Sequence, residues 1–255
     1  MKNLDFTFAK YQELCLAILH TEYVPLTVQD YFGYSSDKFI ILRHDIDRKV
    51  ENALKMAHLE NELSIASTYY FRKTHDVFKP DIIKKISELG HEIGYHYEVL
   101  DKVKGDLELA IKLFEQELSE FRKLVDVKTV CMHGNPYAPW SNKELWREYD
   151  LEDFGIIGEP YLSIDYNKVL YLTDTGRTWN GKYSVYDVVD GSKFYKVKST
   201  DDVINLIKSE KILQKCILAH PNRWNNEFGA WFKELVWQNV KNVGKAGIKF
   251  WRKML

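Results

Sequence analysis

The chain predicts an α/β fold built on a parallel sheet or barrel, and three features of its 255 residues point there. Strand-like and helix-like segments take turns at least four times in the first 135 residues. The strand-like segments are short apolar runs, the pattern of strands covered on both faces. Several then end abruptly in Asp or His, where a buried strand gives way to a polar loop. Parallel neighbours need crossover connections, and helices supply them, so this alternation reads as a succession of right-handed crossovers.

Within 6–20, Phe8, Tyr11, Leu14, Cys15, Ile18 and Leu19 fall at helical spacing and predict an amphipathic helix packed on the main body. Phe39 to Leu42 predicts the first buried strand, ending at the charged string Arg43-His44-Asp45-Ile46-Asp47-Arg48. A helix over Val50–Leu63 follows, with Val50, Ala53, Leu54 and Ala57 on one face, and then a strand over Ala66–Phe71. Pro80 near the start and Gly90 just past the end bracket the next helix, which leads into a strand over His91–His96. Leu107–Val125 predicts a further helix and Val127–Met132 a strand that stops at His133. Residues 140–200, rich in Tyr, Asp and Gly, predict several short strands and loops; helix resumes over Asp201–Lys208 and strand over Cys216–Ala219. No repeat or linker interrupts the pattern, so 1–255 is expected to be a single domain, with 1–38 an N-terminal helical extension and 225–255 a C-terminal amphipathic helix.

Composition excludes several classes of function. Thirty-six Lys and Arg against thirty-seven Asp and Glu leave a net charge of -1, so no bulk field recruits nucleic acid or an anionic membrane, and any partner must be read from a site. Hydrophobic residues make up 45% of the chain, enough for a sizeable core. The odd, widely spaced cysteines Cys15, Cys131 and Cys216 lie in apolar runs and predict buried thiols, hence a cytoplasmic setting. Neither a spanning helix nor an apolar leader is expected.

In parallel α/β folds, functional side chains gather at the carboxyl ends of the strands. Those ends carry Asp45 and Asp47, then His96, His133 and His220, with Asp174 in the irregular region. Two acids and three imidazoles suit a divalent metal together with a proton-transfer pair, so the pattern predicts a hydrolytic metal site. His44 faces away from its neighbours on an extended chain and is expected to be structural. Tyr137 and Trp179 fall near the proposed rim, where aromatic rings can pack on the apolar faces of sugars.

The same strings carry a family resemblance. LRHDID at 42–47, GHEIGYH at 90–96 and ILAH at 217–220 resemble, in order and spacing, signature motifs of the polysaccharide deacetylases, the NodB-type carbohydrate esterases. The likeness spans roughly 39–224 and implies a distorted, incomplete (β/α) barrel, here with an N-terminal and a C-terminal helix packed on it. It also implies metal-dependent removal of an acetyl group from an N-acetylated sugar, in this chain one of a bacterial surface polysaccharide or its precursor. By position, Asp45 resembles the catalytic base, Asp47 a metal-binding acid, His96 a metal-binding histidine and His220 the general acid. HGNPY at 133–137 stands where the family has an Arg-x-Pro-aromatic stretch, and DTGRTW at 174–179 is a looser match to a motif walling the site. Tyr137, Asp174 and Trp179 are accordingly expected at the substrate, and a backbone N–H near Tyr137 at the oxyanion.

One departure matters. The second motif implies a further histidine at position 100, where this chain has Leu100. His91, five residues from His96, faces the opposite side of a strand. His133 is expected as the third ligand beside Asp47 and His96, the alternative being that it only replaces the family's arginine and hydrogen-bonds Asp45 without touching the metal. The ion is expected to be zinc, with cobalt, manganese or nickel as alternatives. Two other readings stand beside this one: a hydrolase of another C–N bond, such as a cyclic imide or ureide, and a sugar-binding module in which Leu100 marks lost turnover. The C-terminal segment 241–255 holds five basic and no acidic residues, so a peripheral membrane contact stands as an alternative to a packed terminal helix.

Overall fold

A computed structural model describes residues 4–181, 183, 184, 189 and 197–252, without the side chains of 245, 246 and 248–252. In chain order its elements are α1 (Phe8–Leu19), β1 (Val24–Leu26), α2 (Val28–Tyr31), β2 (Phe39–Ile46), α3 (Val50–Glu62), β3 (Thr68–Arg72), α4 (Pro80–Glu88), β4 (Glu92–Tyr97), α5 (Val99–Lys102), α6 (Leu107–Arg122), β5 (Val130–Met132), α7 (Pro160–Ser163), β6 (Leu170–Thr173), α8 (Thr200–Lys208), β7 (Gln214–Ala219) and α9 (Phe228–Arg252). The helix starts follow local chemistry. Thr7 caps α1 by accepting from the Lys10 N–H, Asp106 caps α6 through the Leu109 N–H, and Ser199 with Asp202 forms a capping box at α8. Pro80 opens α4, and Gly90, at φ +90°, turns the chain out of it.

All strand pairs are parallel, in the order β5-β4-β3-β2-β7-β6, with β1 beside the first half of β2. Among the described residues β5 and β6 do not pair, so the sheet is open there. It nevertheless curls. Arg43 of β2 donates to Cys131 Sγ of β5 at 2.9 Å, and its guanidinium lies over the rings of Tyr161 at 4.7 Å and Tyr171, on β6, at 6.0 Å. A flat sheet would hold strands three places apart at about 14 Å. One side chain meeting both edges of the sheet therefore means a half-closed barrel, filled by Arg43 and tyrosines. Gly94 serves this packing: a Cβ there would stand 2.2 Å from the Tyr70 ring, which lies beneath the Arg43 guanidinium.

The strand expected over Phe39 to Leu42 is longer than that, running as β2 to Ile46. Charge at Arg43, His44 and Asp45 suggested a loop, yet β2 runs through all three and buries them. Arg43 is tolerated because rings and a thiol surround it, and His44 because a buried glutamate receives it. Alternation along β2 sends Phe39 and Ile41 to one core cluster and Ile40 and Leu42 to the other, which also takes in α1 and α8. Between 140 and 181 one strand, β6, forms instead of several; the rest is short 3₁₀ helices, α7 and loops, and 182, 185–188 and 190–196 lie outside the described residues.

Candidate active site

The carboxyl ends of β2, β4 and β5 bring Asp47, His96 and His133 together. The Asp47 Oδ1 atom lies 3.7 Å from His96 Nε2 and 3.6 Å from His133 Nε2, and all three donor atoms fall within 4.8 Å of one another. Two ligands about 2.1 Å from one tetrahedral ion stand about 3.4 Å apart, so the spacing fits a divalent cation. Parallel register accounts for the meeting: His96 pairs with Cys131, one step before the end of β5, and His133 follows directly after that strand.

His96 is oriented from behind. His96 Nδ1 donates to the Cys131 carbonyl at 2.9 Å, which leaves the Nε2 lone pair facing Asp47. His133 Nδ1 lies 3.4 Å from Glu98 Oε2 without a hydrogen bond among the described residues, and Glu98 is tied to Arg72. Burial pushes the His133 imidazole down to about 4, against the opposite pull of Asp47, so it is neutral and able to ligate at neutral pH. Burial would push the Asp47 carboxyl up, but the charges of His133, His220, His96 and Arg72 hold it well below the usual carboxylate range. His44 pairs in parallel with Ala219, so His220 leaves β7 level with Asp45 at the same end of the sheet.

Asp45 sits one layer deeper and is 2% exposed. Its Oδ2 faces Arg43 at 3.7 Å and His96 Nε2 at 3.9 Å, while Oδ1 has no hydrogen-bond partner among the described residues. Asp45, His96 and Cys131 also approach closely enough to form a second donor group. Cys131 is a poor member of it: burial pushes its thiol well above the thiol range, and its sulfur already accepts from Arg43. The donor set that fits an ion is Asp47, His96 and His133.

His220 enters from the end of β7 with its ring fixed. Asp174 accepts its Nδ1–H at 2.6 Å through one oxygen and its backbone N–H at 3.0 Å through the other. Arg223 and the Trp224 indole N–H complete the cage around the carboxylate. Arg223 Nη1 also comes within 2.8 Å of His220 Nδ1, two donors converging on one carboxylate oxygen. Burial would push Asp174 up, but Arg223 and His220 outweigh it and keep the group ionised. His220 thus presents Nε2 as its remaining nitrogen.

Three expectations for the substrate wall change. Asp174 is fully buried with both oxygens taken, so it meets a substrate only through His220. Trp179 is 3% exposed, donates to Thr200 and packs near Phe6 and Trp224, which makes it core and not rim. Tyr137 is 76% exposed on the loop after β5, but its backbone N–H donates to Asn135 Oδ1 and is therefore engaged. Leu100 lies in α5, buried in the core, and His91 is held by the Ala57 carbonyl and Ser67. Sequence reasoning passed over Glu98, Arg72 and Arg223. Glu98 had a signal, since it lies two residues beyond His96 and shares its side of an extended chain.

The turns that deliver these groups are strained. Lys49, two residues after Asp47, has φ 55°, and Arg177, three after Asp174, has φ 59°. Left-handed backbone at a non-glycine residue costs roughly 1–3 kcal/mol and persists where surrounding contacts enforce it. Lys49 is held by Glu234 and Arg177 by the Trp231 carbonyl, both on α9.

No protein-family model matches the chain, and no curated protein matches it in sequence. Among solved structures it is similar to the Xyl-CE4 domain of a multidomain xylanase from the hindgut metagenome of Trinervitermes trinervoides, at 16% identity and a TM-score of 0.42, covering 82% of this chain and 85% of that one. It is similar also to the peptidoglycan deacetylase PdaC from Bacillus subtilis, in mutant form, at 11% identity and a TM-score of 0.39, covering 83% and 99%. A third is the mutant of a CE4 family pseudoenzyme with restored enzymatic activity, at 12% identity and a TM-score of 0.41; 84% of this chain aligns, and it spans 65% of that chain.

Proposed function

We propose that this chain is a metal-dependent hydrolase that removes an acetyl group from an N-acetylated sugar of a bacterial surface polysaccharide or its precursor. One observation carries the reading: Asp47, His96 and His133 offer three donor atoms within 4.8 Å of one another, on the same rim as Asp45 and the Asp174–His220 pair. The sugar comes from the resemblance of the motifs at 42–47, 90–96 and 217–220. Three buried free thiols are in keeping with a cytoplasmic setting.

Asp47, His96 and His133 would hold a divalent ion, zinc before cobalt, manganese or nickel. What such an ion would supply when bound is a lowering of the pKa of water to about 7 and polarisation of a carbonyl oxygen. Asp45, whose Oδ1 has no hydrogen-bond partner among the described residues, takes the proton from the attacking water. His220, its Nδ1–H fixed on ionised Asp174, delivers a proton from Nε2 to the departing amine. An ionised carboxylate behind an imidazole stabilises the imidazolium, and proton transfer of this kind contributes typically 10²- to 10⁴-fold. Tyr137 offers an exposed ring to the sugar.

Acetate release by metal-loaded protein from N-acetylhexosamine oligomers, measured beside hydrolysis of a cyclic imide and a ureide, tests the reading. Acetate release with no cyclic-amide hydrolysis is expected. Hydrolysis of the cyclic amide alone overturns the sugar assignment, and glycan binding by protein that retains no divalent ion after loading overturns the enzyme.

A further inference from the structure

The helix α9 packs the wrong way round for a soluble protein. Phe228, Phe232, Val236, Val240 and Val243 recur at intervals of four, four, four and three, which places them in one stripe, and together with Trp237 they are between 48% and 76% exposed. The side turned to the body is polar. Glu234, Gln238 and Asn242 are 2%, 2% and 4% exposed; Glu234 binds both Arg48 and Lys49 at 2.7 Å, and Asn242 donates to the Gly176 carbonyl at 2.9 Å. A helix normally buries its apolar stripe, so its inversion means that something outside the described fold covers these side chains.

Charge says what. Residues 228–255 carry six basic side chains and one acid, and that acid is Glu234, buried and already paired. The groove beside the stripe has Phe232, Val236, Trp237 and Val240 as its apolar floor, rimmed by the three cations Arg48, Lys49 and Lys233 against the one acid Glu234. A second copy of the chain would press one cationic helix on another. An anionic bilayer complements both features: apolar side chains enter the boundary between headgroups and acyl chains while Lys and Arg meet phosphates. No described helix is long and apolar enough to cross a membrane, so α9 would lie in the surface plane.

We propose that α9 is an interfacial helix that docks this protein on anionic phospholipid. Arg48 and Lys49 follow Asp47 directly, so docking through this groove brings the rim of the site to the headgroup layer. The proposal rests on residues outside the reaction and stands whether or not acetate is released.

Co-sedimentation of the full chain with vesicles of phosphatidylcholine alone, and of phosphatidylcholine with phosphatidylglycerol, tests it. Partition onto the anionic vesicles is expected, at least about ten-fold weaker on neutral vesicles or in high salt. The Val236→Glu/Val240→Glu protein, with an unchanged thermal melt, is expected to bind at least about ten-fold more weakly than the parent. Failure to pellet with either vesicle overturns the proposal. So does equal binding to both, and so does a dimer in sedimentation equilibrium that the double variant dissolves, which would assign the stripe to a second copy.

Discussion

His44 and Asp45 are neighbours on β2 that look to opposite sides, and the polar clusters they enter are built on opposite principles. Around His44 every contact is closed. Glu60, fully buried, receives His44 Nε2 at 2.8 Å and the hydroxyls of Ser67 and Tyr69 at 2.6 Å each, with Tyr11 also bonded to it. Around Asp45 the contacts are open: the acid-to-imidazole approaches are 3.6–3.9 Å, and Asp45 Oδ1 lacks a partner among the described residues. Buried polar atoms are ordinarily satisfied, and one that is not needs a physical reason. The same residue types therefore build a strut on one face and a place for a ligand on the other; completeness of hydrogen bonding separates them, not composition.

The largest effects should come from breaking the open cluster without touching the closed one. Asp45→Asn and His220→Ala are each expected to lower turnover by about 10²- to 10⁴-fold with metal content unchanged. Steady-state kinetics beside metal analysis reads both. Loss of the metal in His220→Ala would remove that residue from proton transfer and put it among the ligands.

The closed cluster should answer in stability. Glu60→Gln leaves several buried donors around a group that cannot carry charge, and breaking a buried ionic network costs about 3–5 kcal/mol. Burial would push the Glu60 carboxyl up, but His44, then His91 and Ser67, hold it down to about 2 against an ordinary 4.5. A depressed folded value stabilises fully above the unfolded value and is lost as pH falls through the folded one. Denaturant melts of the parent should accordingly lose about 3 kcal/mol between roughly pH 4.5 and 2 that the variant does not lose. A parent whose stability is flat across that window would deny Glu60 its ionised state.

Much of this division was legible in the chain. Alternation of apolar runs with helical periods points to a parallel α/β fold because β2, β3, β4, β5 and β7 are almost wholly buried, so they stand out as short hydrophobic blocks. The motif residues Asp45, Asp47, His96, His133 and His220 could be drawn together because parallel strands deliver their carboxyl ends to one rim. What stayed hidden depended on tertiary neighbours. Arg43 reads as the end of a strand until Tyr161, Tyr171 and Cys131 are seen to close around it. Trp179 reads as a rim aromatic until Phe6 and Trp224 enclose it, and β1, three residues with a central proline, carries no period at all.

Glu98 sharpens the comparison from inside the open cluster, since it acts on His133 and not on the ion. Glu98→Gln keeps the shape and removes the charge facing His133 Nδ1; supporting residues of this kind are typically worth 10- to 100-fold in metal affinity. Chelator competition should show that weakening, with turnover largely recovered at saturating metal. His133→Ala should lose more affinity than Glu98→Gln, and full occupancy at unchanged affinity in His133→Ala would remove it from the ligand set.

The smallest effect contrasts two aromatic side chains that the sequence treats alike. Tyr137 is 76% exposed and Trp179 3%. A ring that packs on one sugar contributes about 0.5–1.5 kcal/mol beyond its area, so Tyr137→Ala is expected to raise KM about 2- to 10-fold while kcat stays put. Trp179→Phe should leave KM unchanged and lower Tm instead, because it removes the indole N–H that reaches Thr200 Oγ1 at 3.0 Å inside the core. If Tyr137→Ala changes kcat and KM together, the loop after β5 orders the reacting groups as well as the glycan, and exposure alone would no longer separate a binding ring from a structural one.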